Sequence, residues 1–288
     1  MTSVLDSNVH NVALEGSFDD TQSIVKELFA DGAFVSQVGL TAVNSINFAR
    51  IMAQCVYYFA ASLKLGLDHP ANFVVPTGNF GDVFAGEAAS RMGLPINKLV
   101  VATNANDILA RALSTGVYSW GSAQATLSPS MDIQVASNFE RALFEACGRD
   151  AAWVSDVMHG FGKSRRLEMR ADAVEELSER YIAGSANDDE TLAMMERFHR
   201  ENGIIVDPHT AVGLAVAENL EVQTTSPIVF LATAHPAKFP DAVMRATGVR
   251  PDLPPHLVDL LTREERCTKL PNSASSVRDF IAERVSAA

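Results

Sequence analysis

The run Phe73-Val-Val-Pro-Thr-Gly-Asn-Phe-Gly-Asp82 leads straight into Val83-Phe-Ala-Gly-Glu-Ala-Ala-Ser-Arg91. An apolar, β-branched stretch closes on a proline, two glycines bracket Asn79 and Phe80, and an alanine-rich helix follows until Gly93 and Pro95. A strand, a tight glycine loop and a helix start turn successive backbone N–H groups and the helix's positive end toward one point. That is the chemistry of anion capture, and it makes Gly78, Asn79, Phe80 and Gly81 a candidate phosphate cradle. The plain alternative is an ordinary β–α turn. The spacing is not G-x-G-x-x-G, and the Gly-Lys-Ser/Thr of a P-loop is absent, so the two commonest nucleotide fingerprints do not apply. Asp82 reads as a stabiliser of the first helical turn, because a carboxylate aimed at a phosphate would repel it.

Three further polar clusters fall at expected strand ends or helix starts: Asn104 to Asp107, Asp207 to Thr210 and Thr233 to Lys238. Ligands bind along that edge in open parallel α/β sheets, so the clustering marks a small-molecule site without specifying a reaction. Asn106 and Asp107 read as a helix cap. His209 and His235 each adjoin a proline and read first as hydrogen-bonded structural imidazoles, with catalysis the alternative. Lys238 reads as a solvated or paired surface lysine. Asn44, Ser45 and Asn47 stand at the start of a long apolar helix, either as caps or as contacts to a ligand. Their residue types do not separate the two.

The elements that must position these groups alternate between strand and helix. A short strand is expected within residues 8–16, then a helix to Phe29 that Ser17 could cap. Residues 41–65 form one long helix, apolar over much of its circumference, as suits packing against a sheet. Further strands are expected at Leu99 to Thr103 and Pro227 to Thr233, with a long loop from Gly116 to Val135. Ser137 and Glu140 have capping-box spacing at the start of a helix ending near Cys147. Residues 150–200 are charged and read as a helical lobe, and the tail is helical near Ser275 to Val285.

Composition bounds the reading further. In 288 residues, 47% are apolar and 20% charged, which suits a globular protein of one large or two modest domains. A net charge of −12 leaves no basic stripe to neutralise nucleic-acid phosphates, although a helix N-terminus can still hold a small anion. No apolar run approaches the roughly 20 residues of a membrane span, and no basic-then-apolar leader opens the chain, so a cytoplasmic location is expected. Cys55, Cys147 and Cys267 are widely spaced and form no C-x-x-C pair, as expected of reduced, buried thiols.

Taken together, Val75-Pro-Thr-Gly-Asn-Phe-Gly-Asp82, Ala102-Thr-Asn-Ala-Asn-Asp107, Thr126-Leu-Ser-Pro-Ser-Met-Asp132, Asp207-Pro-His-Thr-Ala211 and Thr233-Ala-His-Pro-Ala-Lys-Phe239 resemble threonine synthase. Gly16-Ser-Phe-Asp-Asp-Thr-Gln22 and Asn44-Ser-Ile-Asn47 match that family too, and the order is kept over nearly the whole chain. The resemblance implies a fold type II pyridoxal-phosphate enzyme, similar to tryptophan synthase β: α/β, with an open, mostly parallel sheet and helices on both faces, here incomplete at the N-terminus. It implies a remnant of the small lid domain over 1–40 and the large cofactor domain over 41–288, with a helical insertion around 150–200. The implied reaction converts O-phospho-L-homoserine and water to L-threonine and phosphate.

Carried over by position, the resemblance puts Gly78, Asn79, Phe80 and Gly81 at the cofactor's phosphate and the Thr233 hydroxyl at its pyridine nitrogen. It puts Asn44, Ser45 and Asn47 near the substrate. The family's Schiff-base lysine stands in a Phe-Lys-Asp context that Lys26, Lys64, Lys98, Lys163, Lys238 and Lys269 all lack. A truncated chain without turnover of its own is therefore expected, with self-association through the exposed incomplete sheet. The alternative is a non-catalytic module that binds a phosphate ligand or a partner. No metal site is expected.

Overall fold

The structure is a computed structural model that describes residues 1–16, 18–66, 69–220 and 226–286. Two compact units divide it: Met1–Ala42 with Leu253–Ala288, and Val43–Asp252. The expected domain of 41–288 thus takes in a tail that belongs with the first 42 residues instead. The reason is a pairing that sequence spacing does not announce: Val12–Leu14 lies parallel to Thr268–Leu270. Around this two-stranded ribbon, Ile24, Leu28 and Phe34 form a small core with Val277 and Ile281. Arg278 pairs with Asp31 and lies over the Phe34 ring. Ser17, the expected cap of the helix Phe18–Ala30, lies outside the described residues.

The larger unit is built on four parallel strands in the order Tyr181–Ser185, Ile96–Thr103, Ala71–Pro76, Ile228–Phe230. Every residue of Ala71–Pro76 is buried, as a parallel strand covered on both faces must be. Alternation sorts its side chains. Phe73 and Val75 enter one core with Ile51, Tyr58, Phe80 and Phe84, while Val74 joins Val100, Met194, Val212 and Val216 on the other side. The open parallel α/β architecture with helices on both faces is therefore as expected.

Three details differ from the sequence expectation. The long helix begins at Phe48, not near Thr41, because the Asn47 side chain caps it by accepting the Ala49 N–H at 3.0 Å. Residues 150–200 are not a purely helical insertion. Between the helices Ala171–Arg180 and Asp188–Asn202, Tyr181–Ser185 forms an outer strand of the main sheet, paired with Leu99 to Thr103. Its Tyr-Ile-Ala-Gly-Ser sequence has no alternation to reveal it. Gly184 is there because an added Cβ would meet Val216 Cγ1 at 3.0 Å. The loop from Gly116 to Val135 contains a strand, Val117–Ser119, antiparallel to Arg166–Glu168, and a 3-10 turn, Pro129–Met131.

The helix Gly81–Arg91 is locked in place over this sheet. Glu87 is buried, accepts from Arg91 at 2.7 Å and from the Tyr181 hydroxyl, and so ties the helix to the outer strand. Burial, and then the neighbouring Glu87 charge, raises the Tyr181 phenol well above its ordinary value. Cys55 and Cys147 are buried free thiols as expected, but Cys267 is exposed. Among the described residues, no helix is long and apolar enough to cross a membrane, and no group of acidic, histidine or cysteine side chains could hold a metal ion.

Candidate functional site

The loop after the central strand is shaped by three constraints. Gly78 has no room for a side chain: an added Cβ would sit 2.5 Å from the Ser130 carbonyl oxygen. Phe80 adopts φ 64° and ψ 5°, a left-handed conformation rare for a bulky residue and worth about 1–3 kcal/mol of strain. Its side chain carries that strain by being fully buried, edge-on to Phe139 at 5.3 Å and tilted against Tyr181 at 5.4 Å. Gly81 then starts the helix, where an added Cβ would lie 3.0 Å from Ser45 Cβ.

With this backbone, the N–H groups of Gly78, Asn79, Phe80, Gly81 and Asp82 donate to no protein acceptor among the described residues. The Asn79 carbonyl, in contrast, accepts the Asn138 backbone N–H at 3.1 Å and its side-chain amide at 3.0 Å. Free donors, a left-handed residue and a helix N-terminus are the features from which anion sites are built.

These residues line a cleft of about 400 Å³. It gathers Asn44, Ser45, Arg50 and Gln54 from the start of the long helix, Thr77 to Asp82 from the loop, Ser130 and Met131, His209, and Thr233, Ala234 and Lys238. The structure therefore brings together Gly78, Asn79, Phe80, Gly81, Thr233, Asn44 and Ser45. Thr233 lies three residues beyond the last strand, Ile228–Phe230, and is exposed. Asn44 Oδ1 accepts the Ile46 N–H at 3.1 Å, and Ser45 Oγ accepts from Asn138 Nδ2 at 2.9 Å. Asn47 is absent from the lining, which favours the capping alternative over a ligand contact.

Of the other polar clusters, Asn104 to Asp107 does not cap a helix by side chain and does not line the cleft. It holds the loop that does. Asp132 Oδ1 accepts from Asn104 at 2.7 Å, Asn106 at 3.0 Å and the Thr126 hydroxyl at 2.6 Å, and Oδ2 accepts the Thr126 N–H at 3.0 Å. Asn104 also donates to Ser128 Oγ at 3.0 Å. This network carries Pro129–Met131 to the Gly78 loop. His235 is exposed and caps the 3-10 turn Pro236–Lys238 through Nδ1, 3.2 Å from the Ala237 nitrogen. Lys238 is exposed, with Nζ 5.8 Å from the Phe239 ring centre.

Sequence reasoning missed Asn138, the buried amide that joins the loop to Ser45. Ser137 and Glu140 form no capping box; the helix starts at Phe139 with Asn138 at the cap position and no side-chain cap bond. No residue-type signal singles Asn138 out. Ser130 was signalled by the length of its loop and by the Thr126 to Asp132 motif, though not as a site residue.

Asp82 both opens the helix, as expected, and lines the cleft, which was not expected. It accepts from the Tyr57 hydroxyl and, at 3.1 Å, from the Tyr58 hydroxyl. Burial raises its pKa from the ordinary 3.8, outweighing those two bonds, which lower it. A folded-state pKa above the unfolded one favours folding at low pH, and that contribution is lost as pH rises from 3.8 through the folded value. Asp82→Asn keeps an acceptor for the tyrosines and removes the charge. It is expected to bind phosphate esters more tightly near neutral pH and to flatten the stability decline across that window. Parallel urea titrations of both proteins from acid to neutral pH check this, and an unchanged pH profile would contradict it.

Comparisons with known proteins converge on one family. The family model for "Threonine synthase, C-terminal" matches residues 210–281. The chain is 47% identical to threonine synthase from Pseudomonas aeruginosa over 285 residues, covering 98% of this chain and 61% of that protein. It superposes on the PLP-bound threonine synthase from Brucella melitensis with a TM-score of 0.93 and 49% identity, over 99% of this chain and 61% of the other. On the yeast threonine synthase the TM-score is 0.88 with 35% identity, over 100% and 62%. The chain spans about three fifths of the length of these relatives.

Proposed function

The chain corresponds to the C-terminal portion of the threonine synthase family, and from this premise we propose that its cleft holds pyridoxal phosphate for the conversion of O-phospho-L-homoserine and water to L-threonine and phosphate. One observation carries the reading: the N–H groups from Gly78 to Asp82 surround a left-handed Phe80 and have no protein acceptor among the described residues. A phosphate monoester supplies the oxygens that such a cradle lacks. The residues fit the cofactor on a second count. Thr233 lines the same cleft, and a hydroxyl can hydrogen-bond a pyridine nitrogen without a full opposing charge.

When bound, the cofactor supplies an electron sink conjugated to the substrate's α-carbon. The chain's own residues bind and orient. Gly78 to Gly81 would hold the phosphate, Thr233 would meet the ring nitrogen, and Asn44 and Ser45, which line the cleft beside Gly81, would face the substrate. Of the six lysines only Lys238 lines the cleft, and none stands in the Phe-Lys-Asp context of the family's Schiff-base residue. The 288-residue chain by itself is therefore read as binding the cofactor without turnover.

Equilibrium dialysis with pyridoxal phosphate, followed by borohydride reduction and peptide mapping, tests the reading. Saturable binding with no single stoichiometric pyridoxyl-lysine is the expected result. A stoichiometric adduct on Lys238 with threonine formation would sink the assignment of roles, and absence of saturable binding would sink the cleft.

A further inference from the structure

One buried group in the cleft has a spare bonding position. His209 is 3% exposed, packs its ring against Phe239 at 4.8 Å, and lines the cleft. Its Nδ1 lies 2.9 Å from Asp207 Oδ1, while Nε2 is buried with no hydrogen-bond partner among the described residues. Asp207 is itself buried and caps the helix Pro208–Asn219, accepting the His209 backbone N–H at 2.9 Å and the Thr210 hydroxyl.

This arrangement fixes the ring chemically. An ionised carboxylate only accepts, so Nδ1 must carry the hydrogen, and the neutral imidazole is left with Nε2 as a bare acceptor. Asp207 cannot rotate away, because the helix cap and Thr210 hold it. A buried acceptor without a donor costs about 1–3 kcal/mol, so a structural histidine would be expected to have filled this position. No donor among the described residues fills it, and His209 lines the cleft.

We propose that His209 Nε2 is a ligand-contacting atom of the cleft, accepting a hydrogen bond from a donor on the ring of an aromatic phosphate monoester. The inference rests on the reading of the cleft as a pyridoxal-phosphate site and adds a contact to it. The phosphate cradle alone recognises any phosphate ester; His209 discriminates among their rings. Asp207 acts through His209 as a positioning residue.

Two probes separate the parts. Deoxypyridoxine phosphate lacks the aldehyde, so it forms no bond to lysine, and it keeps the ring hydroxyl and ring nitrogen. Benzyl phosphate has neither. Calorimetric titration of the full chain is expected to show both binding, with the pyridine ester tighter. His209→Phe is expected to weaken deoxypyridoxine phosphate by about three- to tenfold and leave benzyl phosphate unchanged, the range expected of one neutral hydrogen bond. His209→Gln is expected to restore part of the difference.

Nitrogen NMR of the unsubstituted protein provides a readout that needs no variant. The His209 ring is expected to show a protonated Nδ1 and a bare Nε2, with Nε2 shifting on addition of deoxypyridoxine phosphate and staying put with benzyl phosphate. Equal losses for both esters in His209→Phe, or an Nε2 signal indifferent to both, would overturn the contact while leaving the cradle standing. Failure of the native chain to bind either ester overturns both.

Discussion

Gly78→Ala is expected to lower affinity for phosphate esters by at least about tenfold and to destabilise the fold by about 1–3 kcal/mol, the range for an overpacked contact. The new methyl would stand 2.5 Å from the Ser130 carbonyl oxygen, a backbone atom that no rotamer change can move. Either the Gly78 loop or the Pro129–Met131 turn must shift, and both line the cleft. The effect comes from lack of space, since Gly78 is not among the residues with positive φ. Gly160→Ala is the matched control. It lies within the helix Ala151–Ser164 with nothing inside 4 Å of the added Cβ, so the same change there is expected to stabilise by about 0.5–1 kcal/mol. Urea unfolding and calorimetric titration with deoxypyridoxine phosphate distinguish the two. Equal behaviour of both variants would contradict a space-limited cradle.

Asp132→Ala is expected to cost about 1–3 kcal/mol of stability, because one half-buried carboxylate serves several donors, and its loss takes the acceptor of the Thr126 N–H and one acceptor each from Asn104, Asn106 and the Thr126 hydroxyl. Asn104, Asn106 and both the hydroxyl and N–H of Thr126 converge on it. These donors sit under the loop, where water does not readily replace the acceptor: Asn104, Asn106 and Ser128 are all buried. The loss propagates to the cleft. Without Asp132 the segment that presents Ser130 and Met131 is no longer held, so ester binding is expected to weaken even at temperatures where the variant is fully folded. Asp132→Asn, which keeps half of the acceptor capacity, is expected to fall between the two. A stability from urea unfolding within about 0.5 kcal/mol of the parent would show that the network contributes little.

The turn from Gly78 to Gly81 was legible in sequence because its geometry is local. A strand, two glycines and a helix start within fifteen residues specify the turn whatever surrounds them. The place of Gly78 to Gly81 and of Thr233 follows from strand ends, and that of Asn44 and Ser45 from the start of the long helix. What was not legible depends on contacts between distant segments. Asn138 touches Asn79 and Ser45, far away in sequence, and its own neighbourhood reads as a helix cap. Tyr181–Ser185 pairs only because Leu99 to Thr103 offers a free edge, and its five residues carry no period of their own. Asn106 and Asp107 were placed by a local rule for helix starts, while Asn106 is engaged by Asp132 across the loop. His209 was read as a bonded structural imidazole; that describes Nδ1 and omits Nε2.

The backbone N–H groups from Gly78 to Asp82 are proposed to hold a phosphate. Amide proton–nitrogen correlation spectra of the 288-residue chain, recorded while deoxypyridoxine phosphate is added, observe those groups one by one. The expected result is saturable downfield shifts at Gly78, Asn79, Phe80, Gly81 and Asp82, reproduced by benzyl phosphate and absent in Gly78→Ala. Shifts confined to the neighbourhood of Lys238, or no saturable change at these five amides, would contradict it.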